Sequence, residues 1–209
     1  TCLDAAEKRW FASGSDLRDV WLAPEDLGLS GEAGDFMIPV QAQQFFCMGD
    51  GAVVGIEICE DMLTPQPRCA ELAVNGAEVI LNLSASNELV GKRTFRRDVV
   101  KHQSAVCSCI YAYTSAGCTE STSDLIFSGH SIIAENGKIL AENEQPVTTD
   151  YFLVMDCDLG RVRADRRRTQ NFGAASDDYL ICDAYQESLR SDGSLYPLRK
   201  LPFVPDQQA

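Results

Sequence analysis

The residues best suited to chemistry lie in the stretch Gly55-Ile-Glu-Ile-Cys-Glu-Asp61, where an apolar run ends in a cysteine flanked by carboxylates. The segment from Ala52 to Ile58 is rich in β-branched residues and predicts a buried strand of roughly six residues that stops just before Cys59. A thiol at such a junction is fixed by the strand and exposed by the turn, as nucleophiles of α/β hydrolytic enzymes are. The same position also suits a buried structural cysteine.

Composition narrows the classes of partner. The chain has 209 residues, enough for one sizeable domain with a real core. Its net charge of −13 and its pI near 4.5 argue against a nucleic-acid partner. Five arginines between Arg161 and Arg168 form the main basic cluster, which is typical of a solvated helix face. A contact with an acidic partner surface or a substrate phosphate is the alternative.

The cysteines indicate a reducing compartment. There are nine of them, without a repeating framework, and neither a secretory leader nor a stretch of membrane-spanning length is evident. We therefore predict a cytoplasmic protein with free thiols and no membrane partner. Cys107-Ser-Cys109 lacks a second ligand pair, so no metal site is predicted. The two histidines, His102 and His130, are interpreted as surface or structural residues, which leaves cysteine–histidine catalysis poorly supported.

Strands and helices alternate along the chain. Asn136-Gly137 is a strong hairpin signal, and residues 177–209 are predicted to be irregular. The alternation predicts an α/β sandwich with stacked sheets in the centre and helices outside. The predicted strands are Phe36–Val40, Phe45–Met48, Ala52–Ile58, Glu78–Leu83, Ile110–Thr114, Phe127–Ala134, Ile139–Glu142 and Phe152–Met155, and the predicted helices are Leu3–Phe11, Arg68–Asn75, Lys92–Ser108 and Leu159–Arg168.

The helix predicted over Lys92–Ser108 is long enough to have a distinct buried face. Phe95, Val99, Val100 and Val106 recur at helical spacing and are expected to form that face.

Several motifs occur in order along nearly the whole chain. They are Glu7-Lys-Arg-Trp-Phe11, Gly55-Ile-Glu-Ile-Cys-Glu-Asp61, Asn82-Leu-Ser-Ala-Ser-Asn87, Gly117-Cys-Thr-Glu-Ser-Thr-Ser-Asp124, Glu135-Asn-Gly-Lys-Ile-Leu-Ala-Glu142 and Leu201-Pro-Phe-Val-Pro205. Together they resemble the nitrilase (carbon–nitrogen hydrolase) superfamily and, more closely, the glutaminase domain of bacterial glutamine-dependent NAD synthetases. Several motifs that match in order are more specific than any one of them.

The resemblance implies an α-β-β-α sandwich with a Glu–Lys–Cys triad, in which Cys59 is the nucleophile that forms a glutamyl thioester. Glu60 and Ser86 match residues that contact glutamine, although a turn salt bridge and turn hydrogen bonding would explain them equally well. Lys92 lies where an arginine can bind the substrate carboxylate. A lysine keeps the charge but loses the bidentate fork, and its alternative role is an ordinary first-turn lysine.

The resemblance also implies a domain organisation. The family's general-base glutamate and catalytic lysine lie upstream of the matched segments, and Lys8 falls after the position expected for that lysine. We therefore predict a fold that is incomplete at its N-terminal side and inactive alone. Residues 1–176 are predicted to be the C-terminal part of a nitrilase-like glutaminase domain, and residues 177–209 a tail and linker toward a synthetase domain.

The predicted function is hydrolysis of the glutamine amide, which supplies ammonia for ATP-dependent NAD synthesis from deamido-NAD. The glutaminase part needs no cofactor, and ATP and Mg are expected only in the synthetase domain. The expected partners are glutamine, the synthetase domain of the same polypeptide and further copies in a homo-oligomer. The alternatives are a free-standing amidase that acts on another small amide and a non-catalytic interaction module.

Overall fold

The computed structural model describes residues 14, 17, 20–28, 37–120, 125–144, 146, 148–169, 172 and 179–183. The helix predicted over Leu3–Phe11 and the Leu201–Pro205 segment lie outside these residues. The elements are β1 (Val20–Leu22), β2 (Ile38–Val40), β3 (Gln44–Cys47), β4 (Val53–Ile58), α1 (Arg68–Val74), β5 (Val79–Ser84), α2 (Lys92–Val106), β6 (Ile110–Ser115), β7 (Ser131–Glu135), β8 (Lys138–Glu142), α3 (Leu159–Arg168) and β9 (Leu180–Asp183).

A seven-stranded mixed sheet organises the fold, in the order β8-β7-β6-β5-β4-β3-β9. Strands β4, β5 and β6 run parallel at its centre, and their carboxyl ends therefore meet at one edge. The flanking strands β3 and β7 pair antiparallel with the central ones, while β1 and β2 form a separate two-stranded sheet. In such sheets, ligands bind beyond the carboxyl ends of the parallel strands.

The core lies between this sheet and the helices α1 and α2. Leu72 of α1 and Val100 of α2 pack with Ile80, Tyr111 and Ile132 of the sheet, all with at most 1% of their surface exposed. The order of strands and helices confirms the predicted α/β class. Among the described residues, no helix is both long and apolar enough to cross a membrane.

The opposite face of the sheet carries exposed apolar side chains. Ile56, Ile58 and Leu83 expose 38%, 43% and 50% of their surfaces there. Of the four layers predicted for an α-β-β-α sandwich, the described residues form a helical layer on one large sheet.

Two element predictions at the C-terminal side are wrong. Phe152–Met155 forms no strand, and Phe152 and Val154 are 87% and 66% exposed. Apolar, β-prone residues form a strand only where a neighbouring strand offers hydrogen bonds and packing. Conversely, Leu180–Asp183 lies in the stretch predicted to be irregular but forms β9, because β3 provides a parallel partner.

The buried face of α2 also differs from the prediction. Phe95 and Val106 are 51% and 60% exposed, and the fully buried apolar residue is Val100. Arg96 and Gln103 are buried beside it because they find hydrogen-bond partners inside the protein. Apolar spacing alone therefore misplaced the face.

Part of the basic cluster on α3 has a structural role. Arg163 forms an ion pair with Glu78 at 2.6 Å. Arg166 donates to the carbonyl oxygens of Ala77 and Ser108 at 2.6 and 2.8 Å, just before β5 and β6 begin. These contacts dock α3 against one end of the sheet. The prediction of a solvated face is wrong for Arg166, whereas the side chain of Arg163 remains 39% exposed.

The hairpin predicted at Asn136-Gly137 is confirmed. Both residues have positive φ angles, 45° and 83°, as a two-residue hairpin turn requires. The N–H of Gly137 donates to the Ser104 hydroxyl at 2.8 Å and so joins the hairpin to α2.

Candidate active site

Cys59 lies at a strained turn directly after β4. It is the first residue of a 3₁₀ turn, Cys59–Leu63, and has a φ of 51° in the left-handed region. Side chains other than glycine adopt that region rarely, at a cost on the order of 1–3 kcal/mol. The residue is half-buried. The surrounding structure must therefore stabilise this backbone conformation.

Side chains from three directions hold the turn. The buried carboxylate of Asp61 accepts from the N–H of Ile58 at 3.1 Å, which closes the turn on itself. Gln103 of α2 donates to the carbonyl oxygen of Met62 at 3.1 Å. From β5, the Asn82 amide donates to the carbonyl oxygen of Cys59 at 3.2 Å. The position of Cys59 is thus fixed by contacts from the sheet and from α2.

A fully buried carboxylate, Glu57, lies beneath this turn. It accepts hydrogen bonds from the backbone N–H of Cys69 at 2.8 Å, from the Asn82 amide at 3.1 Å and from the hydroxyl of Tyr111. These donors belong to α1, β5 and β6, so one side chain of β4 joins four elements. The same Asn82 amide group bonds both Glu57 and the Cys59 carbonyl oxygen.

Burial dominates the ionisation of this cluster. It raises the pKa of Glu57, although the three donors oppose the shift. Burial also raises the pKa of Tyr111, and the neighbouring Glu57 carboxylate raises it further. Tyr111 therefore keeps its proton and acts as a donor to Glu57.

A cleft opens at the carboxyl ends of the central strands, next to Cys59. All four residues predicted from the sequence as catalytic or substrate-binding border it. The lining residues are Cys59, Glu60, Met62, Leu63, Ser84, Ala85, Ser86, Asn87, Lys92, Phe95, Arg96 and Tyr113.

The three predicted substrate contacts occupy different walls of the cleft. Glu60 is exposed beside Cys59. Ser86 is half-buried, and its backbone N–H donates to the Ser115 hydroxyl at 3.1 Å. Lys92 is the first residue of α2, and its ammonium donates to the side-chain oxygen of Asn87.

The prediction missed Arg96, which lies one turn after Lys92 in the cleft wall. Its guanidinium is buried and is bound to the carboxylate of Glu88 and, at 3.1 Å, to Nδ1 of His130. Burial favours a raised pKa for Glu88, but the hydrogen bond from Ser128 and the Arg96 charge outweigh it and lower the pKa. The four-residue helical spacing could have revealed Arg96.

Arg96 and Lys92 therefore differ in how far a protein partner already balances their positive charge. The Glu88 carboxylate balances the charge of Arg96, whereas the partner identified for the Lys92 ammonium is the neutral amide oxygen of Asn87. Lys92 also stands at the N-terminus of a 15-residue helix, where backbone N–H groups favour an anion.

Tyr113 on β6 was also missed. It lines the cleft with 3% of its surface exposed, and its buried hydroxyl has no hydrogen-bond partner within the described part of the chain. No sequence pattern distinguished it from Tyr111, two residues earlier on the same strand.

The two histidines have different surroundings. His130 is buried, which lowers its pKa, and it forms hydrogen bonds with Arg96 and Glu142. His102 is exposed. All eight described cysteines are free thiols. In the described ranges no group of three or more His, Cys, Asp or Glu residues is placed to hold a metal ion.

Cys107 is a second candidate for a reactive thiol, beside Cys59. Hydrogen bonds with the thiols of Cys109 and Cys69 lower its pKa to about 4, against the effect of burial. Its side chain is only 2% exposed, however, and it does not border the cleft. A bound substrate would meet Cys59 instead.

Comparison with known proteins defines the class. The carbon–nitrogen hydrolase family profile matches residues 9–167, and the chain belongs to this family. Glutamine-dependent NAD(+) synthetase of Mycobacterium leprae is 35% identical over 185 residues, which cover 82% of this chain and 27% of the relative. The Saccharomyces cerevisiae glutamine-dependent NAD(+) synthetase is 28% identical over 79% of this chain and 25% of its own length. This chain thus spans about a quarter of the length of these relatives.

Solved structures support the fold class. Saccharomyces cerevisiae Nit3, a member of the nitrilase superfamily, aligns with a TM-score of 0.52 and 19% identity over 67% of this chain and 49% of its own. A carbon–nitrogen hydrolase from Helicobacter pylori aligns with a TM-score of 0.51 and 19% identity over 61% and 47%. The predicted nitrilase-like fold is confirmed.

We predict that Glu57→Gln destabilises the protein by about 1–3 kcal/mol, measured as the free energy of unfolding in urea. A glutamine amide nitrogen would face one of the three donors that now point at the carboxylate, so at least one hydrogen bond is lost.

Glu60→Gln is the matched control, because it makes the same change at an exposed site three residues later. We expect that variant to remain within about 0.5 kcal/mol of the wild type. Equal effects of the two substitutions would contradict a structural role for the Glu57 hydrogen bonds.

Proposed function

We propose that this chain forms part of the glutamine-hydrolysing unit of a glutamine-dependent NAD synthetase. The observation that carries the proposal is that Cys59, at a strained turn after a buried strand, shares one cleft with Glu60, Ser86 and Lys92. The similarity to NAD(+) synthetases over 82% of the chain supports this specific activity over that of a free-standing amidase.

The reaction uses the Cys59 thiolate, because a thiolate is both a strong nucleophile and a good leaving group. Its sulfur attacks the side-chain carbonyl carbon of glutamine, a C–S bond forms, and the carbonyl oxygen becomes an oxyanion. The tetrahedral intermediate then collapses as the C–N bond breaks, and the protonated nitrogen leaves as ammonia. Water attacks the resulting thioester, releases glutamate and returns the thiol.

The cleft offers complementary groups for the rest of the substrate. The Lys92 ammonium and the N-terminus of α2 would bind the α-carboxylate of glutamine. The Glu60 carboxylate can accept from the substrate's ammonium or amide N–H groups, and the Ser86 hydroxyl can donate or accept beside it. Arg96 is already paired with Glu88, so it would shape the wall rather than bind the anion.

The proposal assigns the remaining functions to other parts of the polypeptide. By the family resemblance, a general-base glutamate and an oxyanion-binding lysine come from upstream of the matched segments. ATP and Mg belong to the synthetase domain, which consumes the ammonia, and the C–N hydrolase part needs no cofactor. We further propose a homo-oligomer located in the cytoplasm, where the free thiols would stay reduced.

The test of this function is Cys59→Ala in the full-length protein. We expect NAD formation with glutamine to fall below detection, while NAD formation with added ammonium stays within about twofold of wild type, because only the thioester step needs the sulfur.

Cys157→Ala serves as the control, since Cys157 lies outside the cleft and burial raises the pKa of its thiol to about 11. It should retain both activities. A Cys59→Ala protein that still uses glutamine would refute the proposed function.

Lys92→Ala should raise the KM for glutamine by the equivalent of roughly 1.5–3 kcal/mol, the typical strength of a hydrogen bond to a charged group. Lys92→Arg should keep KM near the wild-type value or lower it, because arginine retains the charge and adds a bidentate fork. Steady-state kinetics with glutamine as the varied substrate measures both.

Lys101→Ala is the matched control on the same helix, because Lys101 is exposed and does not border the cleft. Its KM should equal that of the wild type. If Lys92→Ala behaves like this control, the substrate carboxylate binds elsewhere.

A further inference from the structure

Tyr113 has a buried hydroxyl whose role the fold does not explain. Only two buried side-chain polar atoms in the described part of the chain lack a hydrogen-bond partner, and one is this oxygen. Tyr111 gives a direct comparison, because it lies two residues away on the same strand face and donates its hydroxyl hydrogen to Glu57. Buried polar groups are nearly always bonded, so an exception at a cleft indicates a missing partner.

The neighbouring groups are already occupied. Asn82 is the cross-strand partner of Tyr113, but its amide bonds Glu57 and the Cys59 carbonyl oxygen, and its own oxygen accepts from Ser84 at 2.7 Å. The Arg96 guanidinium, in the same cleft wall, donates instead to Glu88, His130 and the carbonyl oxygen of Asn87. Neither group forms a hydrogen bond with the phenol.

Packing also restricts the ring. Tyr113 lies edge-on to the ring of His130, with 6.3 Å between ring centroids and 68° between planes. His130 is itself held between Arg96 and Glu142 by hydrogen bonds of 3.1 and 3.0 Å. The ring of Tyr113 thus packs into the wall of the cleft, with its hydroxyl oxygen buried.

We propose that the Tyr113 hydroxyl is a direct substrate contact that donates a hydrogen bond to an oxygen atom of the bound carboxamide substrate. That the substrate is glutamine rests on the proposed function. The carbonyl oxygen of the amide and the α-carboxylate are both acceptors, so a phenol proton finds a suitable partner at either end of the molecule. Binding would supply the hydrogen bond that the described residues do not give this hydroxyl.

The test compares Tyr113→Phe with Tyr111→Phe in the full-length protein, which makes the same chemical change twice on one strand. For Tyr113→Phe we expect kcat/KM for glutamine to fall about tenfold, while the Tm of the ligand-free protein stays unchanged or rises, since no hydrogen bond is lost. For Tyr111→Phe we expect the Tm to fall, because Glu57 loses a donor. Ammonium-dependent activity should survive in Tyr113→Phe.

Two results would overturn the assignment of Tyr113. One is a kcat/KM for glutamine within twofold of the wild type, and the other is a fall in Tm like that of Tyr111→Phe without a kinetic effect. A wild-type protein that does not hydrolyse glutamine would overturn the proposed function and this contact with it. Normal wild-type hydrolysis matched by Tyr113→Phe would overturn only the contact.

Discussion

The Glu57 carboxylate is the constraint on which the site depends. A buried carboxylate without partners would be very costly, so this one must be met by donors, and they come from α1, β5 and β6. One of those donors, the Asn82 amide, also holds the carbonyl oxygen of Cys59, whose backbone lies in the left-handed region. The strained turn at Cys59 is thereby coupled to the packing of the central strands, and a change in strand register would move both.

A second polar cluster shapes the opposite wall of the cleft. Arg96 is buried against His130 and paired with Glu88, which lies in the loop between β5 and α2. Glu142 on β8 bonds His130 from the other side, and Arg93 and Arg97 of α2 pair with Glu142 at 2.9 and 2.8 Å. These ion pairs fix the start of α2 against the sheet, and the Lys92 ammonium lies at that start. The cleft thus combines a fixed N-terminal helix end with the Lys92 ammonium, whose partner among the described residues is a neutral amide.

Local sequence predicted those features that local physics determines. The β-branched run before Cys59, the Asn136-Gly137 turn and the limits of α3 have clear local sequence signals, and each was placed within a residue or two. Features without such signals were missed: β9 exists because β3 pairs with it, and Phe152–Met155 forms no strand and pairs with none of the described strands. The same distinction applies to the residues of the candidate site. Motif matches identified four residues that the structure places in one cleft. Arg96 could have been found from its helical spacing to Lys92, whereas Tyr113 is recognisable only from its surroundings in the fold.

The central claim is that glutamine is hydrolysed through a thioester on Cys59. Acid quenching of the full-length protein during glutamine turnover, followed by proteolysis and mass spectrometry, tests it most directly, because acid preserves the thioester. The account predicts a glutamyl group on the peptide that contains Cys59, and none on the peptides that contain Cys107 or Cys118. Glutamine turnover with the acyl group on a different cysteine, or with no acyl group at all when deacylation is slow enough for it to accumulate, would contradict it.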